Sequence, residues 1–415
     1  MTVSPRLARQ TLILLTLLNF FNYVDRQAVY ALFPLIGGEF SLSDKQLGMI
    51  ATACLLVLAT TAVPAGWLTD RFGARKVISI GAVFWSLASI TSSTAGSFRA
   101  LLGMRAAVGI GEAAYEPAAN ATLCALYPKK KSQVLAIFNL GTAFGIAGGM
   151  AIAGFLGMHV GWRHTITILA LPGIPLAAFA WWRLRDLPRA PAAEASLKDL
   201  LQVRSATLML AIGGGTVAAF TAGGLMAWMP MFVVRYHQFS IQKSGLMLGG
   251  LSILCGAAGA LTGGFLGDKL EAIRPGGRCL GMAIAFGLVV PLGIIGIGTT
   301  SLTAFIILVG LTIFCMSFYA GPIIAVIDDV VPRRYAATAQ AAFLLVSHLL
   351  GDTFSPTAIG ALADAIGGHN ALRRAVLLPV IACGLASIAF AFAAITHGRD
   401  AARAHALDKV STEAA

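Results

Sequence analysis

The feature that most limits what this chain can fold into is the recurrence of apolar stretches about 20 residues long, the length an α-helix needs to cross ~30 Å of hydrocarbon. Twelve can be read, at roughly 11–36, 47–68, 77–96, 99–126, 133–157, 165–183, 206–233, 244–267, 279–298, 302–328, 337–362 and 375–396. Composition agrees. Of the 415 residues 57% are hydrophobic and only 12% charged, about half the charged share of a soluble domain. The fold class expected is an all-α membrane protein of twelve transmembrane helices.

A net charge of +12 would suit nucleic acid, but the basic residues are sorted by membrane side and form no binding face. With the N-terminus in the cytoplasm, that side collects Arg6, Arg9, Arg71, Arg75, Lys76, Lys129, Lys130, Lys131, Arg333, Arg334 and the basic residues of 183–204, 268–278 and the C-terminal tail, the greater part of the 30. The positive-inside rule then places both termini in the cytoplasm. The expectation is a multi-pass protein of a bacterial inner membrane, surrounded by membrane lipids and without nucleic acid. The six cysteines lie in or at the ends of apolar stretches without metal-ligand spacing, which reads as small apolar fillers and gives no metal and no cofactor. The first stretch is too long for a signal peptide and is followed by eleven more, so it is expected to stay in the mature protein.

The loop 184–205 is long, polar and rich in Ala and Pro, and it divides the stretches six and six. The organisation expected is therefore an N-terminal six-helix bundle over 1–183, a cytoplasmic linker over 184–205, a C-terminal bundle over 206–396 and a cytoplasmic tail over 397–415. A signal recurs at matching places: Gly66-x-x-x-Asp70 closes the second stretch and Gly264-x-x-x-Asp268 the eighth. Two halves related by a parallel repeat, with a substrate site at mid-membrane between them, is an architecture of transporters. Glycines cluster inside helices, as at Gly145, Gly148, Gly149 and Gly154 or Gly245, Gly249 and Gly250. In lipid they serve close helix packing or hinging.

Against this apolar background stand a few ionisable residues. A charge at bilayer depth costs at least ~3 kcal/mol, so those kept there usually line a wet cavity. In the fourth stretch Arg105 and Glu112 are seven positions apart, which puts them on one helix face about 10 Å from each other, with Glu116 one turn further. The arrangement suits either a protonatable carboxylate balanced between burial and a nearby arginine, or a static ion pair that fixes packing. Pro117 is placed to kink this helix. In the first stretch Asp25 and Arg26 are adjacent, about 100° apart around a helix, so each must find its partner elsewhere. In the eleventh, His348 and Asp352 are spaced i,i+4 on one face, where the histidine is either a proton carrier or a hydrogen-bonded packing residue.

The loop Gly66-Trp-Leu-Thr-Asp70-Arg71-Phe-Gly73-Ala-Arg75-Lys76 resembles the G-x-x-x-D-R-x-G-x-[RK]-[RK] motif of the major facilitator superfamily. Asp70 at a helix end can pair with a basic residue or accept from a helix N-terminus, and Gly73 permits the tight turn. The resemblance implies a cytoplasmic gate made of Asp70, Arg71, Gly73 and Arg75, with Asp268 as a weaker counterpart because Lys269 replaces the arginine. A second reading makes the loop a topology determinant that holds positive charge inside. N-Y-x-D-R in the first stretch, R-x-x-x-G-x-G-E-A-x-Y in the fourth and H-L-L-G-D-x-x-S-P in the eleventh together resemble the Spinster family of that superfamily. It is associated with lysolipids such as sphingosine-1-phosphate. The resemblance implies Asp25, Arg26, Arg105 and Glu112 at the coupling and headgroup site, with Asp25 and Glu112 in proton coupling and Arg26 and Arg105 on the substrate. Tyr115, Glu116, His348 and Asp352 are further candidates around the substrate, although Glu116-Pro117 departs from the small polar residues usual in the family. Phe138, Phe220, Trp228, Phe318 and Tyr319 are candidate walls for an acyl chain.

The function expected is a secondary active transporter, coupled to protons, that moves a lipid-like anion by alternating access, working as a monomer. The alternative is an exporter of drugs or small organic anions with the same fold. A lipid-modifying enzyme is not supported, since no H-E-x-x-H, P-loop or G-x-S-x-G is present.

Overall fold

A computed structural model describes residues 5–113, 115–127, 130–185, 205–332 and 335–413. The expected linker over 184–205 lies almost wholly outside them, as do Lys129, Arg333 and Arg334. The described residues form helices, with no strand among them: α1 Pro5–Ala31, α2 Phe33–Phe40, α3 Asp44–Phe72, α4 Ala74–Ser92, α5 Phe98–Ala113, α6 Tyr115–Leu126, α7 Lys131–Ala170, α8 Gly173–Arg183, α9 Ala206–His237, α10 Ile241–Ile273, α11 Gly277–Gly298, α12 Leu302–Ser317, α13 Pro322–Asp329, α14 Ala336–Val346, a π-helical turn Ser347–Asp352, α15 Ser355–Ile366, α16 Ala371–Ala375 and α17 Leu377–Glu413.

Local chemistry sets several of these ends. Ser43 and Gln46 close a capping box at the start of α3, satisfying donors that a helix N-terminus leaves free. Ser301 accepts from the Ala304 N–H before α12. Within α7 the chain bends at Gly161, whose φ of 75° leaves the helical region. Among the described residues seven helical segments are long and apolar enough to cross a membrane, Ala206–His237, Ile241–Ile273 and Gly277–Gly298 being three of them. One of the seven, Gln133–Arg183, holds two of the expected stretches, parted by the bend at Gly161. The eleventh stretch, which holds His348 and Asp352, is broken into α14, the π-turn and α15.

Two compact units emerge. The first comprises Met1–Arg189, Met226–Ile253 and Pro356–Gly367, and the second Ala190–Leu225, Leu254–Ser355 and Gly368–Ala415. In the first, Leu15, Leu18, Trp85, Tyr115, Leu123 and Phe138 form the core. Helix α1 lies along α7 over a stripe of Gly141, Gly145 and Gly149. A Cβ added at these positions would stand 2.6, 2.6 and 2.8 Å from the carbonyl oxygens of Thr16, Phe20 and Val24. Asn19 fastens the same seam, donating to the Phe138 carbonyl at 3.1 Å and to the Thr142 hydroxyl at 2.8 Å, the polar glue expected between helices in lipid.

The second unit packs Cys279, Met282, Phe286, Val326, Phe343 and Phe390 together, with the Phe286 ring 5.6 Å from both Tyr319 and Phe390. Outward-facing apolar side chains are as prominent as buried ones: Leu254, Leu261, Phe265 and Ile395 are 72–76% exposed. Such a surface is a liability in water and ordinary in lipid. All six cysteines are free thiols, and Cys54, Cys279, Cys315 and Cys383 are buried.

Candidate coupling and substrate site

The site of the first unit is assembled by three helices. Helix α1 supplies Asp25 and Arg26, α4 supplies Ser89, and α5 supplies Arg105 and Glu112. Since Asp25 and Arg26 leave α1 in different directions, they take different partners. The Asp25 carboxylate accepts from Arg105 Nη1 at 3.1 Å and from the Ser89 hydroxyl in a short hydrogen bond, and Arg105 also reaches Ser89 Oγ at 3.5 Å. Arg26 donates through Nε at 3.2 Å and Nη2 at 2.7 Å to one oxygen, Oε2, of Glu112. Its guanidinium carbon sits 4.8 Å from the centroid of the Tyr23 ring.

Arg105 and Glu112 thus share a helix face without pairing with each other. A static Arg105–Glu112 pair, open as a reading of the sequence, is replaced by two crossed pairs between α1 and α5. The two pairs differ in access. Both side chains of the Asp25–Arg105 pair are 2% exposed, whereas Arg26 is 15% exposed over a fully buried Glu112. Arg26 is therefore the most exposed of the four charges.

Within these pairs Glu112 Oε1 and Arg105 Nε are buried without a hydrogen-bond partner among the described residues. An unsatisfied buried group costs about 1–3 kcal/mol. Each pair therefore keeps bonding capacity in reserve. With both acids ionised the two pairs sum to zero charge, so adding an anion or a proton creates an imbalance the other can cancel.

His348 and Asp352 belong to the second unit. Nδ1 of His348 lies 2.8 Å from Oδ2 of Asp352, with side-chain exposures of 53% and 20%. The expected pairing is present, but on a π-turn and not on an α-helix. The extra residue of such turns is common at functional sites. The turn is pressed on its neighbours: a Cβ at Gly351 would stand 2.7 Å from the Thr216 carbonyl oxygen, and one at Gly223 within 2.9 Å of the Asp352 Cα.

Other predicted residues lie apart from these groups. Tyr115 is 1% exposed and donates its hydroxyl to the Leu15 carbonyl in a short hydrogen bond, with its ring between Trp85 and Phe138. It braces α6 against α1. Glu116 is exposed in the first turn of α6, outside the buried pairs. Of the candidate walls, Phe138 and Trp228 are fully buried, and Trp228 donates Nε1 to the Pro356 carbonyl at 2.9 Å, so both serve packing.

Among the gate residues, Gly73 is the whole connection between α3 and α4, with φ 92° and ψ 147°, a backbone conformation only glycine adopts without strain. Arg71 lies 5.3 Å from the Trp67 ring and Arg75 5.2 Å from Trp181. The side chain of Asp70 lies outside the described residues. Asp268 finds its partner ten residues on: Arg278 bonds Asp268 at 2.7 Å and Asp329 at 2.7 Å, a basic residue the repeat motif does not include.

The residues missed in the sequence are Ser89, which orients Asp25, and Tyr23, which covers Arg26. A signal for the first existed: Ser86, Ser89 and Ser92 recur every third residue of α4, and all are buried.

The family model described as the Major Facilitator Superfamily matches residues 15–356. Protein spinster homolog 1 of Xenopus laevis is 28% identical over 393 residues, spanning 85% of this chain and 72% of that protein. The probable L-galactonate transporter of Escherichia coli (strain K12) is 26% identical over 426 residues, spanning 95% and 90%. A crystal structure of a bacterial homolog to the human lysosomal transporter Spinster, in an inward-facing and unoccupied conformation, matches the fold with a TM-score of 0.86 over 96% of this chain and 99% of that one, at 24% identity.

Proposed function

Because this chain belongs to the major facilitator superfamily, and is thus a multi-pass membrane transporter and not an enzyme, we propose that it is a secondary active transporter of an anionic amphiphile, driven by protons. The reading includes two six-helix bundles, over 1–183 and 206–396, that expose a central site to each side in turn. Both termini are cytoplasmic, and the Asp70–Arg75 loop gates the cytoplasmic face.

The observation that carries the proposal is the Arg26–Glu112 pair, half reachable and half buried. A phosphate or carboxylate headgroup that docks on Arg26 competes with Glu112 for the same guanidinium donors. Protonating Glu112 withdraws the competitor and frees Arg26. An anion that takes Arg26 in turn leaves Glu112 a buried carboxylate without its cation, which favours the proton. Anion and proton binding therefore assist each other. The Asp25–Arg105 pair, more deeply buried, holds the helices in register and supplies a second arginine within reach of the same pocket. Similarity to spinster proteins supports a lysolipid as cargo.

Reconstitution into proteoliposomes tests this. Uptake of a labelled lysophospholipid or sphingosine-1-phosphate is expected to follow an imposed pH gradient in the wild-type chain and to lose that dependence in Glu112→Gln. Full gradient dependence in Glu112→Gln would remove Glu112 from the role. A second reading, a small organic acid as cargo, is favoured by the likeness to the probable L-galactonate transporter. Arg26 would bind its carboxylate in the same way. Stabilisation of the protein by sugar acids and not by lysolipids, in a thermal-shift panel, would select it.

A further inference from the structure

The first compact unit contains more than the N-terminal stretch of the chain. It includes Met226–Ile253, from α9 and α10, and Pro356–Gly367, most of α15, while the remainder of those same helices falls in the second unit. Of these, Ile241–Ile253 packs on α7, where Gly245 and Gly249 face the Met150 and Ala147 carbonyls, whereas the end of α9 and α15 meet the start of α3, the end opposite the Asp70–Arg75 loop.

The Asp364 carboxylate accepts from two consecutive backbone N–H groups of the first turn of α3, Asp44 through Oδ1 and Lys45 through Oδ2, both at 3.0 Å. An acid at a helix N-terminus meets both free donors and the positive end of the dipole. The side chain of Asp44 is in turn gripped by Arg235 in a two-pronged pair, at 2.7 and 2.6 Å, the fork geometry in which arginine binds carboxylates most strongly. Beside these polar contacts the backbones touch. Gly48 faces the Pro356 carbonyl and Gly360 faces the Asp44 carbonyl, each with no room for a Cβ.

From this arrangement we propose that Asp44, Arg235 and Asp364, seated by Gly48 and Gly360, form a releasable latch that closes the end of the transport pathway opposite the Asp70–Arg75 loop. The inference rests on the alternating-access reading above. Closure needs contacts that are directional, so that they form in one register, and that can return to water without stranding a buried charge. Asp44 and Arg235 meet this need: their side chains keep 12% and 37% exposure in the closed arrangement. The glycines make the closure tight, and the ion pair and the helix cap make it reversible. The same end carries no motif of the superfamily loop type, so the latch is a separate device.

Distance measurement between nitroxide labels at Lys45 and Ala365, in the full chain in lipid bilayers with its native cysteines replaced, tests the latch without any substrate. The wild-type chain is expected to show a short-distance population. Asp364→Asn and Arg235→Gln should each lower it several-fold, and Arg235→Lys should lower it less than Arg235→Gln. Asp44→Asn combined with Arg235→Gln should lower it no further than either alone, because one pair is lost in all three. Gly48→Leu should abolish it, and the polar variants, which add no bulk, cover the case in which that protein does not fold. Short-distance populations unchanged in Asp364→Asn and Arg235→Gln would overturn the proposal. A cargo other than an anionic amphiphile would leave these distances untouched, so failure of the transport reading and failure of the latch give different results.

Discussion

At the scale of the residue, the site is a problem of charge placement in a medium that cannot solvate charge. Breaking a buried ion pair by removing one partner typically costs about 3–5 kcal/mol, because the other charge is stranded. Arg105→Leu should therefore destabilise the protein strongly in a detergent melting curve, whereas Arg105→Leu with Asp25→Asn, which removes both charges, should recover much of the loss. Equal destabilisation of the single and the double variant would mean that Asp25 has another cation. The participants were legible in the sequence, since acids and arginines inside apolar stretches mark themselves. Their pairing was legible only in part: adjacency on α1 forbids an Asp25–Arg26 pair, but nothing in the sequence says whether Arg105 and Glu112 meet α1 or, on their shared face, each other. A residue outside the apolar stretches gives a pH test. Burial pushes the Glu39 carboxyl up, but hydrogen bonds from Arg163 and Trp162 outweigh it and hold the group below the ordinary carboxylate value. A carboxylate lowered on folding contributes stability above its unfolded pKa and loses it as pH falls through the folded one. In Arg163→Gln this acid-side loss of melting temperature should become shallower; an unchanged slope would assign it to other carboxylates.

At the scale of the element, small residues decide which helices touch. The stripe Gly141, Gly145, Gly149 brings α1 against α7 and so fixes the azimuth from which Asp25 and Arg26 reach α5. At Gly145 a methyl would stand 2.6 Å from the Phe20 carbonyl oxygen and 2.8 Å from the Tyr23 Cβ, and forced overpacking of this kind costs about 1–3 kcal/mol. Gly145→Ala should lower the melting temperature and also disturb Arg26, because Tyr23 carries the ring that covers it. Gly103→Ala is the matched control, with nothing within 4 Å of the added carbon and no loss expected. Loss in both would point to helix-wide effects. The helical class of the elements and the dense glycine packing could be read from hydropathy and composition. The interruptions could not. The π-turn at Ser347–Asp352 requires one inserted residue that α-periodicity does not register, and the bend at Gly161 depends on a φ that a glycine permits without requiring.

At the scale of the whole molecule, the sequence shows an ordered row of apolar stretches, whereas packing shows compact units that recruit Met226–Ile253 and Pro356–Gly367 to the company of the chain's first part. Contacts such as Asp364 on the first turn of α3 join residues some 320 positions apart, and no local pattern announces them. The site's charge balance carries a consequence that involves the whole transport cycle. Two acids and two arginines cancel, Arg26 is the reachable cation, and Glu112 is wholly buried behind it. An anion that occupies Arg26 would leave the pocket with a net negative charge in a medium of low dielectric, and the least costly remedy is a proton on Glu112. Binding should then consume protons even with no gradient and no transport. Calorimetric titration of the detergent-solubilised protein with an anionic amphiphile, repeated in two buffers of different ionisation enthalpy, measures this directly. The expected result is uptake of about one proton per bound anion by linkage, falling to near zero in Glu112→Gln while binding persists. Proton uptake that survives in Glu112→Gln would move the coupling to Asp25 or to the His348–Asp352 pair. Binding without uptake in the wild-type chain would mean that the anion is met by a cation other than Arg26, and the exchange of partners on which the coupling depends would not occur.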